Sequence, residues 1–148
     1  MMSVASACQF IPHWNDSVWR GILSECRSAN ASRAIFIAEG ITDIPAGFVV
    51  AACVTGIAEL ENLAVSPEFR RHGLGSALCI RAMAWARDRG ADRMELEVRV
   101  SNQGAVALYQ SKGFVVQGRR NGYYRNPVED SLLLSVILTN EIQPGSQV

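Results

Sequence analysis

The stretch from Asn62 to Ser76 constrains this chain more than any other. It reads Asn-Leu-Ala-Val-Ser-Pro-Glu-Phe-Arg-Arg-His-Gly-Leu-Gly-Ser. An apolar strand end (Leu63, Ala64, Val65) runs into a proline turn at Pro67, then two arginines, then Gly73-Leu74-Gly75 at the mouth of an apolar-periodic helix. The first-turn N–H groups of a helix have no intrahelical partner, and the helix dipole is positive at that end. Such a mouth is suited to a phosphate. Glycines let a pyrophosphate approach the backbone, and Arg70 and Arg71 add charge-assisted donors.

The rest of the chain decides whether that cradle matters. With 148 residues, 49% of them hydrophobic and 19% charged, the prior is one globular domain over 1–148, which the order of helices and strands read below makes α/β. The formal net charge is zero, which removes the main driving term for nonspecific binding to nucleic acid or to an anionic membrane. Small molecules and proteins are the expected partners. Cys8, Cys26, Cys53 and Cys79 are scattered, and His13 and His72 complete no metal-ligand spacing. A reduced cytoplasmic chain without a metal is expected. No apolar run reaches membrane-spanning length, and the start shows no signal-peptide pattern.

Residues 1–12 have no clear period and read as an irregular start. Asn15 or Asp16 caps a helix running to about Ala29, with Trp14 and Trp19 beside or within it. Arg33 to Ala38 and Ala46 to Val54 read as strands, and Thr55-Gly56 turns the chain into a third, Ile57 to Val65. Glu59 and Glu61 would share one solvated face of an unbroken pleat. The helix from Gly73 to about Arg89 buries Leu74, Ala77, Leu78, Ala82 and Trp85. A strand from Arg93 to Val100 alternates Met94, Leu96 and Val98 against Glu95, Glu97 and Arg99. Ser101 and Asn102 cap a further helix that ends at Lys112-Gly113. Phe114 to Arg120 reads as a strand, Asn121 to Asp130 as a loop, and Leu132 to Leu138 as a central strand without a polar face. Residues 140–148 read as a flexible tail. The pattern predicts a mixed, mostly antiparallel sheet, with one parallel pair joined by the helix after Gly73.

Asn102 and Tyr109 lie seven residues apart, about 10 Å along one helix face, so one elongated ligand could touch both. The competing reading is that Asn102 only caps and Tyr109 only packs. Tyr123 and Tyr124 are either a clamp for a ligand or a packed pair beside an Asn-Gly turn.

Arg70-Arg71-His72-Gly73-Leu74-Gly75 resembles the acyl-CoA pyrophosphate signature of the GNAT superfamily of N-acetyltransferases. Leu96-Glu97-Val98-Arg99, Ser101-Asn102, Ala107-Leu108-Tyr109, Gly113-Phe114 and Arg119-Arg120-Asn121-Gly122-Tyr123-Tyr124 are similar to the bacterial ribosomal-protein alanine N-acetyltransferases of that superfamily. The resemblance implies the GNAT fold and direct acetyl transfer from acetyl-CoA to an amine in a ternary complex. Leu63, Ala64 and Val65 would pair with the pantetheine arm through their backbone. Arg70, Arg71, His72, Gly73, Leu74, Gly75 and Ser76 would hold the pyrophosphate. Asn102 would orient the cofactor near its thioester. Tyr109 would protonate the leaving thiolate, and Glu97 would take the proton of the nucleophile. Trp14, Tyr123 and Tyr124 would contact the acceptor.

Two departures accompany the resemblance. Family members begin with a strand and a full helix ahead of the segment matching His13-Trp14, so the first strand is expected to be missing or shortened. The exposed edge this leaves would allow a monomer or a weak homodimer. Arg125 also stands where the subfamily often has proline.

An α-amine suits this chemistry. With a pKa near 8 it is roughly 10% neutral at pH 7, against about 0.04% for lysine, a difference of roughly 3 kcal/mol. A protein N-terminus, possibly of a ribosomal protein, is therefore the expected acceptor. The alternatives are another amine (polyamine, antibiotic or lysine) or a non-catalytic acyl-CoA-binding module.

Overall fold

A computed structural model of the protein describes residues 32–39 and 45–139. The expectations for the N-terminal segment, the helix ending near Ala29, the shortened first strand, Trp14 and the tail lie outside those residues.

The described elements run β1 (Arg33–Glu39), β2 (Pro45–Val54), β3 (Ile57–Val65), a turn of 3-10 helix (Pro67–Phe69), α1 (Leu74–Asp88), β4 (Arg93–Arg99), α2 (Gln103–Ser111), β5 (Val115–Tyr124) and β6 (Glu129–Ile137). They form a sheet in the order β1-β2-β3-β4-β6-β5. Every neighbouring pair is antiparallel except β3 with β4, which α1 joins as a crossover. This is the mixed sheet the pattern predicts, with the apolar β6 in its interior.

Two features of the sheet create the site. The first is that β3 and β4 pair only from Ile57↔Arg93 to Glu59↔Glu95, after which they part. The second is a bulge. Val50 pairs with Asn62 while its neighbour Ala51 pairs with Leu60, which leaves Glu61 as an extra residue in β3. An extra residue switches the face that later side chains take. Ala58 and Leu60 belong to the core cluster before the bulge, and Leu63 and Val65 pack against it afterwards. Asn62 and Ala64 are buried but lie outside that cluster. Glu59 and Glu61 share a face as expected, both lining one cavity, and Glu59 is exposed; what differs is that Glu61, at the bulge, is half-buried.

The core lies between the sheet and α1. The helix buries Leu78, Cys79, Ala82, Met83, Trp85 and Ala86. Leu74 is half-buried and Ala77 is exposed, so the buried stripe is rotated by about one residue from the predicted one. No helix among the described residues is long and apolar enough to cross a membrane.

The loop expected from Asn121 to Asp130 is mostly strand. β5 continues to Tyr124, with a register break between Arg120 and Tyr124, and Tyr124 pairs with Glu129. Asp130 causes this. Its carboxylate accepts from Gly122 N at 2.8 Å and from Arg119 Nε at 2.7 Å, fastening the irregular segment to β6. Gly122 sits at φ 60° within that break, a conformation that suits glycine. The turn itself spans Arg125 to Val128.

Candidate active site

The parted ends of β3 and β4 open a cavity of about 400 Å³. Its walls come from β3 (Glu59 to Leu63), β4 (Leu96 to Arg99), α2 (Asn102, Leu108, Tyr109) and the β5 tyrosines Tyr123 and Tyr124, with Arg33 of β1 at the rim. The residues singled out from Glu97, Asn102, Tyr109 and the tyrosine pair are thus brought together. Among the β3 residues singled out, Leu63 lines the cavity too.

Glu97 reaches the cavity because Met94, Leu96 and Val98 take the core side of β4 and leave the odd-numbered residues on the other. Two groups hold its carboxylate. Ser131, fully buried on β6, donates its hydroxyl to Oε2 at 3.0 Å, and Arg120 Nη2 lies 3.5 Å from Oε1. In the sequence Arg120 stands out only as part of the motif before the tyrosine pair, with no role, and Ser131 is not singled out. Ser131 stands at the head of the apolar run of β6, which also holds Ser135, and neither serine gives a distinctive signal there.

Asn102 caps α2, its Oδ1 accepting from Ala105 N at 3.2 Å. The capping role is real, and Asn102 also lines the cavity. Tyr109 is 6% exposed and packs edge-on against Phe114, ring centroids 5.7 Å apart. Burial pushes its phenol well above the ordinary tyrosine value. Tyr124 is pushed up to about 12, by burial first and then by Tyr123 and Glu97. Both phenols therefore keep their protons at neutral pH. Tyr123 and Tyr124 meet edge-to-face at 5.0 Å, and Arg99 lies over the Tyr124 ring at 4.3 Å.

Two further acidic groups of β3 line the cavity, and one of them, Glu59, is exposed as the sequence reading had it. Glu61 is half-buried and forms an ion pair with Arg33, Nε to Oε1 at 2.8 Å. The Glu59 carboxyl is raised, by burial first, then by Glu61 and Glu97, with Arg33 opposing. The wall opposite α2 is thus rich in carboxylates.

The glycine-rich segment lies at the N-terminus of α1. Arg70, Arg71, His72 and Gly73 are exposed, and Arg70 Nε donates to Val65 O at 3.1 Å. Arg71 and Gly73 both take positive φ, 67° and 77°. Gly73 sits at the N-cap without a side-chain cap, and the first intrahelical bond is Ala77 N to Gly73 O at 3.0 Å. The N–H groups of Leu74, Gly75 and Ser76 consequently have no partner in the helix. A Cβ on Gly75 would stand 3.3 Å from Leu108 Cδ2, so small size there lets the mouth of α1 approach α2.

The chain was compared with known proteins. Residues 3–114 match the model of the acetyltransferase (GNAT) family. The chain is 38% identical over 93 residues to the ribosomal protein bS18-alanine N-acetyltransferase of Escherichia coli K12, covering 62% of this chain and 63% of that protein. The match thus takes in under two thirds of that relative's length. Among solved structures, the ribosomal-protein-S18-alanine N-acetyltransferase from Escherichia coli superposes with a TM-score of 0.79 at 27% identity, over 93% of this chain and 85% of that one. A chain of the NatC complex bound to Gag peptide and CoA gives 0.78 at 26% identity, over 93% and 88%.

Proposed function

Because the chain belongs to the acetyltransferase (GNAT) family, we propose that it transfers the acetyl group of acetyl-CoA to the α-amine of a protein N-terminus, of the ribosomal-protein alanine type. The observation that carries this reading is the cavity between the parted strands, which Glu97, Asn102, Tyr109 and the tyrosine pair all line. The names of the E. coli relative and of the NatC neighbour support the same class of acceptor.

The donor fits the chain in two places. The uncapped mouth of α1 offers backbone N–H groups and the exposed Arg71 to a pyrophosphate. The side of β3 from Leu63 to Val65, where β4 has parted, offers backbone to an extended pantetheine arm in the manner of an added strand. Asn102, at the mouth of α2, orients the thioester end. Acceptor contacts come from Tyr123 and Tyr124, and from Trp14 ahead of the described residues. Glu97 takes the proton of the acceptor ammonium, directly or through water. The freed amine attacks the thioester carbonyl, a C–N bond forms and the C–S bond breaks. The second proton of the nitrogen leaves to give the neutral amide and restores the phenol that protonates the sulfur. Tyr109 gives its phenolic proton to the departing sulfur, a role its protonated state at neutral pH allows. Acetyl-CoA and ribosomal proteins meet in the cytoplasm, where we place the reaction.

One observation favours a second acceptor class. Glu59, Glu61 and Glu97 line one cavity, and a polyamine would also be attracted there.

The reading is tested by incubating the protein with acetyl-CoA and an alanine-starting ribosomal-protein peptide, with detection of free thiol and of the acetylated N-terminus by mass spectrometry. Glu97→Gln and Tyr109→Phe should each lower kcat by about 10²-fold or more. Unchanged turnover in both variants sinks the assigned roles. Acetyl-CoA binding without turnover of any amine would make the protein a binding module instead.

A further inference from the structure

Asn62 is the one buried side chain among the described residues left with a polar atom unpartnered. It is 5% exposed, it lines the cavity, and its Nδ2 has no hydrogen-bond partner. A buried donor without an acceptor is uncommon enough in folded proteins to require an explanation.

The sheet register gives its orientation. Ala58 pairs with Met94 on the core side, and Glu59 pairs with Glu95 on the other side, which is also the side of Glu97. Simple alternation would return Asn62 to the core with Leu60. The extra residue at Glu61 turns it to the face of Glu97 instead. The bulge thus puts a fixed amide donor on the face of the sheet that carries the proposed base.

A free N–H requires an oxygen lone pair, and the setting selects which kind. Glu59, Glu61 and Glu97 disfavour an anionic partner in this cavity, so a neutral carbonyl beside a positive charge fits best. A peptide N-terminus has that chemistry, since its first carbonyl carbon lies two bonds from the α-amine. Lysine side chains and polyamines carry methylenes in the corresponding place.

We propose that Asn62 Nδ2 donates to the carbonyl oxygen of the acceptor's first residue, and that this contact selects peptide α-amines over amines lacking an adjacent carbonyl. The proposal rests on the reading of the acceptor as a protein N-terminus. Asn62 is a specificity residue in this scheme, and Glu97 and Tyr109 keep the chemistry. A site built to hydrogen-bond a substrate group discriminates strongly against the analogue without it, because the protein's donor is then left unpaired.

The experiment compares an alanine-starting peptide with its isostere, in which a trans alkene replaces the first amide, using wild type, Asn62→Ala and the isosteric Asn62→Asp. With kcat/KM expressed per neutral amine at each substrate's own pKa, wild type should prefer the peptide by about tenfold or more, and both variants should lose that preference. Wild type turning over both substrates equally overturns the proposal and leaves the acetyltransferase reading standing. Variants that keep the full preference overturn it as well. Turnover of carbonyl-free amines alone by wild type overturns both readings. The wild-type comparison needs no variant to fold, and thermal melts show whether a variant's loss is confined to selectivity.

Discussion

Ser131 donates its hydroxyl to Oε2 of Glu97 at 3.0 Å from a fully buried position on the neighbouring strand. The register pairs Glu97 with Leu133 and Arg99 with Ser131, so the contact runs diagonally across β4 and β6. One carboxylate oxygen is thereby held, and the other lies toward Arg120. Ser131 is a positioning residue for the proposed base.

Ser131→Ala should lower kcat by about fivefold, the worth of roughly 1 kcal/mol of hydrogen bonding, with the KM for peptide nearly unchanged. Ser131→Thr keeps the hydroxyl and should restore most of the rate. Steady-state kinetics on the three proteins decides. A drop in stability with an unchanged kcat would assign Ser131 to packing alone.

Stability should fall at alkaline pH for a reason located in the cavity. Burial raises the phenols of Tyr109 and Tyr124 above the unfolded value near 10, Tyr124 to about 12. A raised group contributes stability that is fully present below the unfolded value and is lost as pH climbs through the folded one. The buried Cys79 thiol, pushed up to about 11, acts in the same direction. Thermal melts should therefore decline from about pH 9 to about pH 12, and Tyr124→Phe should decline less steeply than wild type. Equal slopes would remove Tyr124 from the account.

Gly73→Ala tests the mouth of α1 by backbone conformation alone. Nothing lies within 4 Å of an added Cβ, so the cost comes from φ 77° rather than from a clash. That cost is about 1 kcal/mol, a Tm loss of about 2–4 °C. If the mouth holds pyrophosphate, the same variant should raise the KM for acetyl-CoA more than the KM for peptide. Equal effects on both would separate the glycine from donor binding.

Much of this architecture was legible in the residues, and what was not has identifiable causes. The alternation of Met94, Leu96 and Val98 against Glu95, Glu97 and Arg99 fixed both a strand and its faces, because period two is unambiguous on a half-buried strand. Helix α2 was equally clear, from its asparagine cap to its glycine stop. The bulge at Glu61 was not, since nothing local in Glu-Leu-Glu-Asn marks an extra residue and the pairing with β2 decides it. Without that pairing nothing in the residues tells that Asn62 leaves the face that Leu60 occupies. Asn121-Gly122 carries a strong turn signal, yet the side chain of Asp130 stitches it into strand β5, a contact across the hairpin that local propensity does not encode.

Arg99 offers a test of how the tyrosine pair is held. At the end of β4, its Nη1 donates to Pro127 O at 3.2 Å and to Glu129 Oε2 at 3.4 Å, and its Nη2 donates to Arg125 O at 3.4 Å. The guanidinium also lies over the ring of Tyr124. One side chain thus fastens the β5–β6 turn to the strand that carries Glu97, and only a planar fork can serve two carbonyls, a carboxylate and a ring at once. Lysine at this position keeps the charge and loses the fork. Arg99→Lys should loosen the turn and Tyr124 without touching Glu97 or Tyr109. The KM for peptide should rise by about tenfold, kcat should stay within about threefold, and the KM for acetyl-CoA should not move. A kcat that collapses while the KM for peptide holds would mean that Arg99 serves the chemistry, and that the tyrosine pair is not where the acceptor binds.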